Sequence, residues 1–298
     1  MKRHVLNSAA DVFVLQSSAN KQVALPQKSI DIEMAKVYYN NFYNTRLANG
    51  IQNQTKATWF ELDGLKNYFN NVIELCANRD IEITRFAFLL GATKKGNRTV
   101  LIAPVTYDEK LDLQRAFSLD NDNITYLYRF PGEDHSDVQN FKGLHSTSQS
   151  LVLSSSGMVS SAKAIELYNN YHDTILAPNS DKLASDSRFV YYEKGEFENY
   201  ISFLCEQAQE NNIGISGINA IFGAKNDYES EGMFANLVTL FFAPTVEGSK
   251  TAVITSFDAP KENVLDLRND RWDSTKEKAL ITTMFNRGSG APPPYHWD

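Results

Sequence analysis

Apolar side chains recur at helical spacing in one segment of the chain and again 132 residues later. In both segments they fall at i, i+3, i+4, i+7, i+8 and i+11, which is typical of a helix with one buried face. The positions are Leu65, Tyr68, Phe69, Val72, Ile73 and Cys76, then Phe197, Tyr200, Ile201, Leu204, Cys205 and Ala208. The pattern predicts two equivalent helices, with both cysteines as small core residues rather than reactive thiols.

These helices belong to a longer repeat. Residues 59–92 align with residues 191–224 without a gap, with eight identities in 34 positions, and other pairs conserve residue character rather than identity, such as Leu65 with Phe197 and Val72 with Leu204. A preceding helix also recurs, since Tyr39-Asn40-Asn41-Phe42 is echoed by Tyr168-Asn169-Asn170-Tyr171. We therefore predict an internal duplication.

Short aromatic segments at 57–61 and 189–193 predict a strand before each amphipathic helix, and apolar runs predict two strands after it. In residues 81–90 the alternation changes phase, which indicates either a bulge or a strand covered on both faces. The predicted fold is α+β: a duplicated helix-strand-helix-strand-strand unit in a two-layer mixed sheet, with helices on one face. A three-stranded sheet is small, so we expect the halves to share a sheet or to pack about a pseudo-twofold axis.

The predicted organisation is an N-terminal arm (1–29), a first repeat with its tail (30–145), a Ser-rich linker (146–161) and a second repeat with a C-terminal tail (162–298). Beyond each repeat the chain is long for a connection inside a compact domain, which indicates functional or disordered segments.

Composition narrows the class of protein. The chain has 298 residues, of which 42% are hydrophobic, enough for packed cores. Its apolar runs are far shorter than the roughly 18 residues that span a bilayer. Polar residues interrupt the N-terminus, so no signal peptide is predicted unless a leader was removed, and two cysteines are no disulfide framework. We expect a cytoplasmic protein that does not cross a membrane.

Charge argues against one class of partner. The formal net charge is −7, so general binding to nucleic acid is not expected. Residues 30–104 carry nine Lys/Arg against seven Asp/Glu, and residues 162–244 carry five against twelve. This asymmetry could orient self-association, or it could reflect drift on solvated faces.

The familiar nucleotide-binding and hydrolase motifs are missing from the sequence. The two tails share one sequence pattern: each contains a proline, then four residues, a histidine, one residue and an aspartate. Such pairs can bind a divalent metal and support hydrolysis. The predicted metal ligands are His135, Asp137, His296 and Asp298.

Other candidates concern binding. Tyr295 ends a Pro-Pro-Pro-Tyr segment of the kind that polyproline-binding modules recognise, and Trp297 follows it, although both could pack on the protein itself. Glu61 and Glu193 occupy equivalent positions, so they could form an acid/base pair or cap the following helices.

The sequence favours a non-enzymatic binding or interaction protein, with a protein or small ligand held between the halves or by the tails. The alternatives are a metal-dependent hydrolase that uses the tail residues with a divalent cofactor, and a structural subunit that assembles through the oppositely charged halves.

Overall fold

The computed structural model describes residues 25–48, 55–120, 123–128, 150–179, 186–225, 237–257, 264–268, 285 and 289–291. Its α-helices are α1 Ile32–Phe42, α2 Leu62–Ala77, α3 Ser161–Tyr171 and α4 Lys194–Glu210. Its strands are β1 Ala57–Glu61, β2 Arg85–Ala92, β3 Arg98–Asp108, β4 Leu113–Asp120, β5 Asn123–Tyr126, β6 Val152–Ser154, β7 Gly157–Val159, β8 Phe189–Glu193, β9 Ile215–Ala224, β10 Val238–Val246, β11 Ala252–Ile254, β12 Val264–Asp266 and β13 Ser289–Ala291. Among the described helices, none combines the length and the apolar character that crossing a membrane requires.

The strands form two curled sheets, each of which contains strands from both halves of the chain. Sheet A has the order β1-β9-β10-β11-β12, and sheet B has the order β13-β8-β2-β3-β4-β5, with the β6–β7 hairpin attached to β3. Strand β1 comes from the first half of the chain but pairs with β9 of the second half, while β8 pairs with β2. Each sheet is therefore built from both halves.

The register of the two exchanged pairs is the same. Ala57 pairs with Ile221, and the residues at the same offset of 132, Phe189 and Leu89, pair with each other. The order helix, strand, helix, strand, strand also occurs in both halves. The predicted sharing of sheets is thus present in the form of a reciprocal strand exchange.

The prediction of a mixed sheet is wrong, because every pairing among the described strands is antiparallel. The prediction assumed that β1 and β2 share a sheet, which a crossover helix would make parallel. In the structure α2 instead connects sheet A to sheet B. The rule for crossovers within one sheet then does not apply.

The prediction of two layers with helices on one face is also wrong, because helices pack on both faces of the sheets. A central core joins α2 and α4 to both sheets. On the opposite faces, α3 packs against Ala87 and Leu89 of β2, and α1 packs against Ile221 and Phe241. The helical pattern fixes which side of each helix is buried, but not the sheet face that it covers.

Strand β2 is covered on both faces, which explains the changed phase in the sequence. Phe86 and Phe88 face the central core, while Ala87 and Leu89 face α3. Residues 81–84 precede the strand, so their apolar side chains follow a different pattern. Cys76 is fully buried in α2, and burial raises the pKa of its thiol to about 11, as expected of a core cysteine.

The segments after each repeat contain further strands where the structure describes them. Within the predicted linker, β6 and β7 form a hairpin, and Leu153 pairs with Ile102 of β3. In the second half Phe285 pairs in the same way with Phe242 of β10. Six of these strands have only three or four residues, and the eight-residue β4 is buried along most of its length without alternation, so these segments give no clear periodic signal in the sequence.

Replacing Gly217 by alanine should weaken the contact between β1 and β9. A Cβ atom at Gly217 would lie 2.3 Å from the carbonyl oxygen of Phe60 and 2.5 Å from Nε1 of Trp59. We expect Gly217→Ala to lower the free energy of unfolding by about 1–3 kcal/mol, measured by urea denaturation. Gly195→Ala is the control, because a Cβ atom at that position would have no other atom within 4 Å and alanine favours the helix. Equal stabilities of the two variants would contradict close packing at Gly217.

Candidate functional site

Most residues that the sequence singles out as sites lie outside the described part of the chain. This applies to the predicted metal ligands His135, Asp137, His296 and Asp298, and to the tail aromatics Tyr295 and Trp297. Among the residues that the structure does describe, no group of three or more His, Cys, Asp or Glu is placed to hold a metal ion. The metal and tail sites therefore stay predictions.

Glu61 and Glu193 are described, and each is the N-cap residue of the helix that follows it. They lie in different sheets, since β1 belongs to sheet A and β8 to sheet B. Glu193 also accepts a hydrogen bond from Nε of Arg85 at 2.7 Å. Glu193 forms a capping box with Glu196, whereas the side chain of Glu61 makes no capping hydrogen bond. A binding role for these carboxylates stays a prediction.

A different group of side chains meets where the two halves of the chain come together. It consists of Arg46, Arg98, Tyr171 and Asp186, which we call the arginine cluster. All four are buried, with 5%, 2%, 0% and 2% of their surface exposed. Two come from the first half and two from the second. Such burial of three ionisable charges is unusual, because charged side chains are almost never fully buried unless paired.

Local structure at four chain segments turns these side chains inward. Helices α1 and α3 each continue into a π-helical turn, at Tyr43–Leu47 and His172–Leu176. Arg46 lies in the first of these turns, and Tyr171 is the last residue of α3. Arg98 opens β3 after a turn that contains Gly96 at a φ of 78°. Single π-turns inside helices often occur at functional sites.

Asp186 is held by three hydrogen bonds. Its Oδ2 accepts from Nη2 of Arg46 at 3.0 Å. Its Oδ1 accepts from the backbone N–H of Ser187 at 3.0 Å and of Val238 at 2.6 Å. Both oxygens of the carboxylate are therefore engaged, and the negative charge is directed toward Arg46.

Arg98 differs from the other buried arginines. None of its three guanidinium nitrogens has a hydrogen-bond partner in the described structure. The guanidinium lies over the ring of Phe42 at 5.2 Å from the centroid. Burial lowers the pKa of Arg98, Tyr171 and Asp186 act in the opposite direction, and the charge of Arg46 lowers it further. The group nevertheless stays protonated, as arginine does in proteins.

The neighbouring hydroxyl of Tyr171 has no hydrogen-bond partner within the described residues either. It lies beside Arg98, and its interaction with the guanidinium raises the pKa of Arg98. Burial raises the pKa of Tyr171 to about 12, and Asp186 adds to the shift while the two arginines oppose it. At neutral pH the phenol is therefore protonated and can donate.

Two other buried arginines differ from Arg98 because their guanidinium groups donate hydrogen bonds to the protein. Arg115 donates to Oδ2 of Asp108 at 2.8 Å and to the carbonyl of Tyr128 at 2.6 Å. Arg188 donates to the carbonyl of Tyr168 at 3.2 Å. In the arginine cluster, by contrast, the three guanidinium nitrogens of Arg98 and the hydroxyl of Tyr171 have no hydrogen-bond acceptor among the described residues. That arrangement can bind an acceptor, and an anion best of all.

Comparison with known proteins does not assign a function to this site. No protein-family model matches the chain, and neither a curated protein nor a solved structure is significantly similar to it. Any function must therefore be argued from the side chains themselves.

The arginine cluster is absent from the candidates that the sequence suggests, because its members are far apart along the chain. One signal was available. Arg98 stands at the start of an apolar strand, and the corresponding position in the second half is Val238. A charged residue where its counterpart is apolar indicates a special environment, although it does not identify the neighbours.

Proposed function

We propose that the protein is a non-enzymatic binding protein, built from a duplicated α/β unit whose copies are related by a pseudo-twofold axis. We further propose that a small ligand binds at the arginine cluster, where the two copies meet. The observation that carries the proposal is the buried guanidinium of Arg98, which has no hydrogen-bond partner among the described residues.

The duplication is supported by sequence and register together. The identities between residues 59–92 and 191–224 fall on elements with the same order and nearly the same lengths. The exchanged strand pairs have the same register at the offset of 132. Leu153 and Phe285, also 132 residues apart, pair with equivalent strands. Gene duplication of an exchanged dimer would give this arrangement.

Ligand binding is supported by the cost of burying the Arg98 guanidinium without hydrogen bonds. An ion moved from water into a protein interior loses several kcal/mol of solvation unless hydrogen bonds and an opposite charge replace the water. Proteins seldom retain such a group without a use for it, and buried polar groups are nearly always paired. Bound ligand would supply the missing acceptors. The sequence motifs of catalysis are missing, so binding is a simpler proposal than turnover.

A screen for small ligands tests this function. Purified protein would be heated with a panel of neutral, anionic and cationic metabolites, and the melting temperature would be compared with that of Arg98→Met. A ligand at 100 times its Kd stabilises the folded state by about 2.7 kcal/mol, which is easily detected. We expect at least one compound to stabilise the wild type but not Arg98→Met.

Arg85→Met is the control, because it removes the same charge from a surface arginine that pairs with the exposed Glu193. It should keep the ligand response of the wild type. If every compound shifts wild type and Arg98→Met equally, the proposed binding site is wrong.

A further inference from the structure

Arg98 has no hydrogen-bonded counter-charge within the described structure. Asp186 is the acidic member of the arginine cluster, and it already accepts from Arg46 and from the backbone N–H groups of Ser187 and Val238. None of the three nitrogens of the Arg98 guanidinium has an acceptor among the described residues. An anion at this guanidinium would supply both the acceptors and the opposite charge.

The unused donors suit a planar acceptor. Nε and both Nη atoms of Arg98 are without hydrogen-bond partners among the described residues, so an edge of the guanidinium can donate two parallel hydrogen bonds. Carboxylates fit this edge with one oxygen on each N–H group. The protonated hydroxyl of Tyr171 can give a third hydrogen bond to the same group. A chloride ion has no second oxygen, and burying doubly charged phosphate costs more solvation free energy than burying a singly charged carboxylate.

Outside the arginine cluster, the residues placed against Arg98 are apolar. Its register partner on β2 is Ala92, and Phe42 covers one face of the guanidinium. Both belong to the central hydrophobic core. The part of a ligand that lies beyond its charged group would therefore meet apolar side chains of this core.

We infer that the arginine cluster binds a small monocarboxylic acid with an apolar tail, held by Arg98 through its carboxylate and by the hydroxyl of Tyr171. This inference rests on the proposed function and narrows its ligand to one chemical class. Because Arg98 is buried, the acid enters only when the protein opens, so association should be slow compared with that at a surface site.

Reversible urea unfolding tests the inference without depending on the rate of entry. The folding equilibrium constant would be measured by circular dichroism in the presence of straight-chain monocarboxylates of increasing length, from formate to octanoate, and in the presence of benzoate. Propionamide, phosphate and chloride would serve as comparison compounds, all at one ionic strength. Once a carboxylate exceeds its Kd, each tenfold rise in its concentration should raise the folding constant of the wild type about tenfold.

Three variants assign the effect to the named groups. Arg98→Met should abolish the dependence on carboxylate, while Arg85→Met should retain it. Arg98→Lys keeps the charge but loses the planar edge, so its response should be weaker than that of the wild type. Tyr171→Phe should bind more weakly while its fold is retained, since only the hydroxyl is lost.

The possible results separate the inference from the proposed function. If propionamide or phosphate stabilises the wild type more than the carboxylates do, and Arg98→Met removes that effect, the ligand class is wrong but ligand binding at the cluster stands. If no carboxylate raises the folding constant in a way that depends on Arg98, the inference is overturned. A failure of the metabolite screen as well would overturn the proposed function with it.

Discussion

Asp186→Asn should lower the free energy of unfolding by about 3–5 kcal/mol, because it removes the buried carboxylate that accepts from Arg46 and whose charge supports that of Arg98. The amide keeps the size of the carboxylate, and its oxygen can still accept from the N–H groups of Ser187 and Val238. Its NH₂ group cannot accept from Arg46, whose Nη2 lies 3.0 Å from Oδ2 of Asp186. Equilibrium urea denaturation in ligand-free buffer would measure the change.

A double-mutant cycle shows whether the charge of Arg98 is the cause. Arg98→Met alone should be neutral or stabilising without ligand, because an apolar side chain replaces a buried charge that lacks a hydrogen-bonded partner among the described residues. In the Asp186→Asn background the same substitution should recover part of the lost stability. Additive effects, with a coupling below about 0.5 kcal/mol, would show that the two residues do not share one electrostatic site.

Phe285→Ala should cost about 3–5 kcal/mol, since a fully buried phenylalanine leaves a large cavity when truncated. Phe285 is 1% exposed and stacks on Tyr200 with ring centroids 4.6 Å apart and planes 12° apart. Its backbone also exchanges two hydrogen bonds with Phe242 of β10. We expect a lower urea midpoint and a weaker near-ultraviolet circular dichroism signal from the aromatic core.

Met158→Ala is the matched control, because Met158 lies in the corresponding region of the first half but is 50% exposed. Its effect should stay within about 0.5 kcal/mol. If Phe285→Ala were as stable as Met158→Ala, the side chain of Phe285 would not be packed in the hydrophobic core.

Part of the fold could be predicted because it depends on short-range spacing. The apolar stripe of Leu65, Phe69 and Val72 correctly identifies the buried face of α2, and its counterpart does so for α4. The strand before each helix follows from its aromatic residues. The pairing of the strands was harder to predict, because the side chains of β1 and β2 would be equally apolar whether the two strands shared one sheet or lay in different sheets.

The site was the least predictable part. Arg46, Arg98, Tyr171 and Asp186 are ordinary residues in their local segments, and no motif joins them. Their chemistry arises from burial and from the unequal sharing of Asp186, which engages Arg46 by a hydrogen bond but not Arg98. Neither the burial of these side chains nor the hydrogen bonding of Asp186 can be predicted from the sequence, because both depend on contacts between distant segments.

Side-chain period and residue type act over a few neighbours, and they were enough to predict the helices, the first strands of each half and the resemblance of one half to the other. Three features emerged only from the folded chain: β1 and β8 exchange between the sheets, the segments after each repeat add strands, and Arg98 is enclosed. The strand exchange and the burial of Arg98 depend on contacts between residues about 100 or more positions apart, such as Arg46 and Asp186. The added strands pair over shorter separations, such as Ile102 with Leu153, but these too lie beyond the few neighbours over which side-chain period acts.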